Sequence, residues 1–336
     1  MGAISSYRMR LERKRWQFRA FRKRRELTSV ANRTAAIKRD DLLVFSTLRN
    51  ERKRLPYFLD YYRDKGVGHF LIVDNGSDDG SGAYLKDQDD VSLWFTKRSY
   101  RKANFGVDWL NWLQRKYGHD HWTLVVDPDE FFVYPFCDTR PIPALTDWLD
   151  ASDVKSFSAM LLDMYPRGPI DAQPYQEGQD PLEIASWFDS GNYMISKNHK
   201  YHNLWIQGGP RARLFFSDDP YRAPALNKTP LVRWNRNYVY ISSTHMMLPR
   251  GLNHVYDEGG GEKASGCLLH AKFLNTFGEK AAEETERGEH YAESAEYLAY
   301  HETLKDRPVI WNRWSEKYIN WRQLEILGLM SKGNWA

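Results

Sequence analysis

This sequence predicts an α/β fold built on a mainly parallel central sheet, and three observations predict it. From Asp41 onward, short apolar runs alternate with segments of helical periodicity. Several of those runs are continuously apolar, as strands covered on both faces must be. They end in turns rich in Gly, Asn and Asp, and strands alternating with helices at this spacing pair in parallel through crossovers.

Composition bounds the class. At 336 residues, 42% hydrophobic and 27% charged, the chain has room for one large domain or two ordinary ones and sets aside collagen-like, low-complexity and wholly disordered readings. No run approaches the roughly 18 apolar residues of a membrane span, and the N-terminus lacks the apolar core of a secretory signal. Cys137 and Cys267 are the only cysteines, too few and too far apart for a disulfide framework or a cysteine zinc site, so a reducing cytoplasm is the expected setting.

Residues 1–39 hold thirteen Lys or Arg against Glu12 and Glu26, a local +11 that leaves −7 for the remainder of a chain whose net charge is +4. Ala3 to Thr28 has no Gly or Pro, and the spacing predicts one helix. Its apolar residues fall on two sides, with Met9, Trp16, Ala20 and Leu27 on one and Leu11, Phe18 and Phe21 largely on another. This arm suits a docked or solvated helix, or an anionic membrane surface that would make the protein peripheral on the inner membrane; nucleic acid is the least favoured partner.

The elements then follow in order. DLLVFSTL reads as a strand, RLPYFLDYYRDKG as a helix stopped at Gly66, and HFLIVD as a second strand running into the turn Asn75–Gly80. VSLWFT is a third strand, FGVDWLNWLQRKYG a helix, and WTLVVDPDEFFVYP a fourth strand carrying a carboxylate cluster. PIPALTDWLDAS reads as a helix and SFSAMLLDMYP as a buried strand, while residues 166–235 read as loop-rich. VYISST and SGCLLHAKFL are late strands, and residues 279–302, with eight Glu, read as a helical tail. The expected organisation is a basic helical arm at 1–39, a main domain at 40–278 divided near residue 135, and a helical extension at 279–336.

Ligands of open parallel sheets lie beyond the carboxyl ends of the strands. There the first strand presents Arg49, Asn50 and Glu51, the second Asp74, and the fourth Asp127, Asp129 and Glu130. Carboxylates gathered in a crevice repel one another unless a cation neutralises them. Asp127 and Asp129 share a side of an extended segment, and oxygen ligands select Mg²⁺ or Mn²⁺, which complete their shells with substrate phosphates.

The succession TLRNE, LIVDNGSDDG, VVDPDEF and, much later, LLHAKF resembles the family 2-type glycosyltransferases of the GT-A fold, especially bacterial members whose acidic motif reads D-x-D-E-F. The resemblance spans about Asp41 to Lys272. It implies a nucleotide-sugar donor held by Thr47, Arg49, Asn50, Glu51 and Asp74, with Lys272 available to phosphate; Lys102, in the separate basic segment SYRKANF, is a candidate on its own chemistry to balance diphosphate charge. It also implies a metal on Asp129 and His270, with Asp127 on the ribose or the ion. The implied reaction is transfer of a hexose-type sugar, with inversion, to a saccharide or lipid-linked acceptor in surface polysaccharide synthesis.

Such enzymes use an acceptor-side carboxylate as base. Asp163, ending a buried strand, and Asp189, among aromatics suited to sugars, are the candidates, with His245 behind them. Arg211 and Arg213 suit a phosphate. The rival functions are a nucleotidyltransferase, a two-carboxylate glycoside hydrolase needing no metal, and a nucleic-acid-binding module acting through the arm.

Overall fold

A computed structural model describes residues 3–253, 263–287, 300, 303–304 and 307–335. Helix α1 (Ala3–Lys23) leads into β1 (Thr28–Ala31), followed by β2 (Leu42–Leu48), α2 (Leu55–Asp64), β3 (Val67–Asp74), α3 (Ser81–Lys86), β4 (Val91–Phe95), α4 (Val107–Tyr117), β5 (Trp122–Val125), β6 (Glu130–Val133), α5 (Ile142–Ala151) and β7 (Ser156–Asp163). The second half supplies β8 (Trp187–Asp189), β9 (Tyr193–Asn198), β10 (Asn203–Gly208), β11 (Asn227–Arg233), β12 (Val239–Ser242), β13 (Met246–Leu248), β14 (Gly266–His270), α6 (Thr276–Arg287), β15 (Ser315–Lys317) and α7 (Trp321–Ile326).

Nine strands form the central sheet in the order β1-β4-β3-β2-β5-β11-β7-β14-β6. The run β4-β3-β2-β5 is parallel, as is β7 with β14, whereas β1, β11 and β6 pair antiparallel. This is the expected α/β architecture. The strand order reverses between β2 and β5, which makes their carboxyl ends the place where a crevice opens.

Side-chain alternation in the strands builds two cores. Leu42, Val44 and Leu48 of β2 face the cluster containing Phe58 and Leu59 of α2 and Leu145 of α5, while Leu43 and Phe45 face the cluster of Trp109 and Leu113 on α4. A fully buried Phe such as Phe58 contributes enough that Phe58→Ala would cost about 3–5 kcal/mol. Helix α2 stops at Gly66, whose φ of +89° excludes most side chains and whose added Cβ would lie 2.9 Å from Pro143 Cδ. That close approach seats α5 against the end of α2.

Several expectations are corrected. Residues 28–31, assigned to the arm, form an edge strand against β4. The run WTLVVDPDEFFVYP is two strands, because the chain turns at Asp127–Asp129 and β6 crosses to the far edge of the sheet beside β14. The loop-rich stretch 166–235 contains β8, β9, β10 and the central strand β11. Its Pro230 sits where the register of β11 on β7 shifts, a bulge that tolerates a missing N–H. Of the expected Glu-rich helix, residues 279–287 lie in α6, and 288–299 and 301–302 lie outside the described residues. Beyond it, Trp321 and Trp335 join the main core.

Candidate functional site

At the β2/β5 switch point lies an open cleft of about 270 Å³ lined by strand ends and the loops after them. Strand register explains what converges there. His270 of β14 is paired with Glu130 of β6 on one side and Asp163 of β7 on the other, so the three side chains stand abreast at neighbouring strand ends. Lys228 of β11 reaches the same end of the sheet and forms a close ion pair with Glu130.

His270 Nδ1 lies 2.7 Å from Asp163 Oδ1. An ionised carboxylate can only accept, so Nδ1 carries the proton and Nε2 is turned to Asp129, 3.5 Å from its Oδ2. Burial opposes charge on His270, yet Asp129 and Asp163 hold its pKa above the ordinary value. Burial likewise works against ionised Asp129, but His270, Arg54 and Lys272 keep its carboxyl well below the usual range. Asp163 is held at about 2 against burial by Arg211, whose Nε donates to its Oδ2 at 2.7 Å, and by His270. Lys228 stays charged despite burial because Glu130 and Asp127 face it. The cleft therefore presents alternating fixed charges.

The β2 side is built differently. Thr47 lines the cleft with its buried Oγ1 lacking a hydrogen-bond partner. Against it packs Gly106, the third of three successive residues with positive φ, Asn104 at 54°, Phe105 at 56° and Gly106 at 76°. A Cβ on Gly106 would lie 2.9 Å from Thr47 Oγ1. Backbone held in such sparsely populated conformations clusters at ligand sites.

Arg49 lines the cleft, donating to the carbonyl oxygens of Asn75 and Gly76, and its Nε lies 2.9 Å from Glu283 of α6. Asn50 also reaches Glu283 and borders an adjoining hollow with Lys280. Glu51 is buried between Arg54, at 3.0 Å, and Lys280. Lys272 lines the cleft with its ammonium over the rings of Phe277 and Tyr300.

Other sequence-based assignments do not fit. Asp74 turns away, its Oδ1 accepting from the Ser77 N–H at 2.8 Å as a turn cap, and the next residue, Asn75, lines the cleft instead. Lys102 is exposed beside α1, where its carbonyl accepts from Arg19. Asp163 has one oxygen on Arg211 Nε and the other on His270 Nδ1 and is held at about 2, which makes it a poor proton acceptor. Asp189 pairs with Arg213 at 2.8 Å and accepts from Tyr165, away from the residues that line the cleft. His245 does line it, its Nδ1 2.7 Å from the Asn227 carbonyl oxygen.

The expected metal set of Asp127, Asp129 and His270 is only partly assembled. Among the described residues no three His, Cys, Asp or Glu side chains form a metal-holding group. The Asp127 side chain is 54% exposed, with Oδ2 3.9 Å from Lys228 Nζ. Asp129 and His270 alone converge, and one carboxylate plus one imidazole nitrogen suits a divalent ion that takes its other ligands from phosphate. Glu130 lines the cleft, as its place in the carboxylate cluster predicts, whereas Arg54, Lys228 and Asn75 were not anticipated. Lys228 sits in a polar, Pro-containing segment with no strand signal.

No family model matches the chain, and no curated protein matches it. Among solved structures it is similar to a protein assigned as a glucose-1-phosphate thymidylyltransferase from Bacillus anthracis, crystallised with sucrose, at 10% identity and a TM-score of 0.24. The alignment covers 41% of this chain and 64% of that one, just under two thirds of that protein's length. A likeness of that degree carries no argument about the chemistry of the cleft.

Proposed function

We propose that the protein is a metal-dependent glycosyltransferase that moves a sugar from a nucleotide-sugar to a saccharide or lipid-linked acceptor, with inversion. The observation that carries this reading is the meeting of Asp129 and His270 Nε2 at 3.5 Å, in a cleft at the sheet's switch point that is also lined by Arg54, Arg211, Lys228 and Lys272. Two ligands and several cations match a diphosphate better than a neutral sugar alone.

Mn²⁺ or Mg²⁺ held by Asp129 and His270 would supply positive charge to the leaving nucleoside diphosphate. The chain's own residues do the rest. Asp163 fixes the His270 ring, and Arg211 keeps Asp163 ionised. Thr47, Arg49 and Asn75 border the space for the nucleoside. Lys272 and Arg54 balance phosphate charge. Asp127, the carboxylate open to the cleft, is our candidate to take the acceptor's proton in place of Asp163 or Asp189.

The test is release of nucleoside diphosphate from UDP- and GDP-sugars with and without Mn²⁺. We expect Mn²⁺-dependent turnover that falls by about 100-fold or more in Asp129→Ala. Metal-independent cleavage of glycosides would make it a hydrolase, and pyrophosphate release from a nucleoside triphosphate and a sugar phosphate would make it a nucleotidyltransferase. Either result overturns the proposal.

A further inference from the structure

Helix α1 does not hang free. Its Met9 and Trp16 pack on Val239, Ile241 and Leu248, and Ala20 is buried. Gln17 donates to the Asn237 carbonyl at 2.7 Å, and Arg19 Nε lies 2.6 Å from the buried Asp108 on α4. Both acids of the arm are turned to the protein as well. Glu12 accepts from Tyr201 at 2.6 Å and pairs with Lys200, while Glu26 accepts from Trp109 Nε1 at 3.0 Å and pairs with Lys23.

The docking leaves an opposite face of unusual make-up. Tyr7, Leu11 and Phe18 are 61%, 49% and 62% exposed, and at spacings of four and seven residues they form one row along a helix of 3.6 residues per turn. Arg8, Arg15 and Arg22, one every two turns, flank the row on one side, and Arg10 and Lys14 flank it on the other; all five are exposed. A solvated helix has no use for an apolar row between two cationic rows. No described helix is long and apolar enough to cross a membrane, so the pattern is that of a helix lying in a surface.

We propose that the outward face of α1 docks on an anionic lipid bilayer, with Tyr7, Leu11 and Phe18 entering the headgroup boundary and the flanking Arg and Lys paired with lipid phosphates. Charge complementarity selects this occupant: residues 1–39 carry +11 while the chain beyond residue 39 carries −7, so the arm concentrates the positive charge that an anionic surface attracts. Duplex nucleic acid would engage the cationic rows and leave the apolar row in water. The inference is independent of the chemistry of the cleft, although α1 packs beside the β12–β13 hairpin, whose intervening Ser243 and His245 line the cleft.

The test is co-sedimentation of the full chain with vesicles of phosphatidylcholine alone or with about 30 mol % phosphatidylglycerol, in about 0.1 M salt. Two variants of exposed side chains, checked for unchanged thermal unfolding, separate the two components. Leu11→Ser/Phe18→Ser keeps every charge, and Arg15→Glu/Arg22→Glu keeps the apolar row. We expect retention on anionic vesicles only, weakened at least about tenfold in each variant, and a loss of wild-type retention as salt is raised. Absence of retention on anionic vesicles, or retention unchanged by Leu11→Ser/Phe18→Ser, overturns the proposal. Tighter binding to duplex DNA that ignores the Leu11→Ser/Phe18→Ser change overturns it in favour of nucleic acid.

Discussion

Asp163 Oδ1 sits 2.7 Å from His270 Nδ1 while its other oxygen accepts from Arg211 Nε at 2.7 Å, so one buried carboxylate fixes both an imidazole and a guanidinium at the floor of the cleft. Parallel pairing of β7 with β14 puts the two residues side by side. Asp163→Asn would leave Arg211 buried without its counter-charge, costing about 3–5 kcal/mol of stability. If the protein still folds, Mn²⁺-dependent turnover should fall about 10- to 100-fold through a looser His270. Urea unfolding and steady-state kinetics check the two halves, and unchanged stability would contradict the pairing.

Lys228→Met tests the other buried pair. Lys228 and Glu130 are 7% and 2% exposed at the side chain, and truncating the cation leaves Glu130 uncompensated. A loss of about 3–5 kcal/mol is expected. The double variant Lys228→Met/Glu130→Gln should recover much of it, because removing both charges abolishes the unpaired one. A double variant no more stable than the single one would show that packing, not charge, is at stake.

Gly106→Ala combines two penalties. The left-handed backbone costs an L-residue about 1–2 kcal/mol, and the new Cβ meets Thr47 Oγ1 at 2.9 Å. A lower melting temperature is expected, restored only in part by adding Thr47→Ala, since that relieves the contact and not the backbone. Full restoration would assign the whole effect to the clash.

A pH dependence follows from Asp90, whose two oxygens accept from Arg63 at 2.6 and 2.7 Å. Burial works against its charge, but the forked bonds to Arg63 bring its pKa below the ordinary value. A depressed carboxylate pKa contributes stability above the unfolded value and loses it as pH falls through the folded one. Wild type should exceed Asp90→Asn by about 1 kcal/mol at pH 7, and the gap should close as pH drops below about 4. A gap that stays constant down to pH 2 would assign it to packing.

Much of the molecule was legible in the order of its residues. The strand-forming runs ending at Leu48, Asp74 and His270 were readable because alternation and burial are local properties of a few residues. The strand ends named the pieces of the site for the same reason. The D-x-D-E segment and LLHAKF each declare a polar group at the end of an apolar run, and the structure brings Asp129 and His270 to 3.5 Å. The two sides of α1 were visible too, since helical periodicity separates Trp16 from Phe18 without any partner.

Other features depended on which segments became neighbours. Nothing near Asp163 in the chain says that Arg211 and His270 will pair with it, so its carboxylate read as a free base. Asp74 and Asn75 are adjacent, and only the direction of the turn into Ser77 decided which one faces the cleft. Strand β11, with its Lys and Pro, is buried by neighbours 67 to 107 residues away rather than by an apolar signature of its own: Ala159 and Met160 on one side, Leu124 on the other, and Glu130 at its end. Local sequence sets the secondary structure and the chemistry on offer. The pairing of distant strands, a property of the whole packed chain, sets which charges meet and what each can still do.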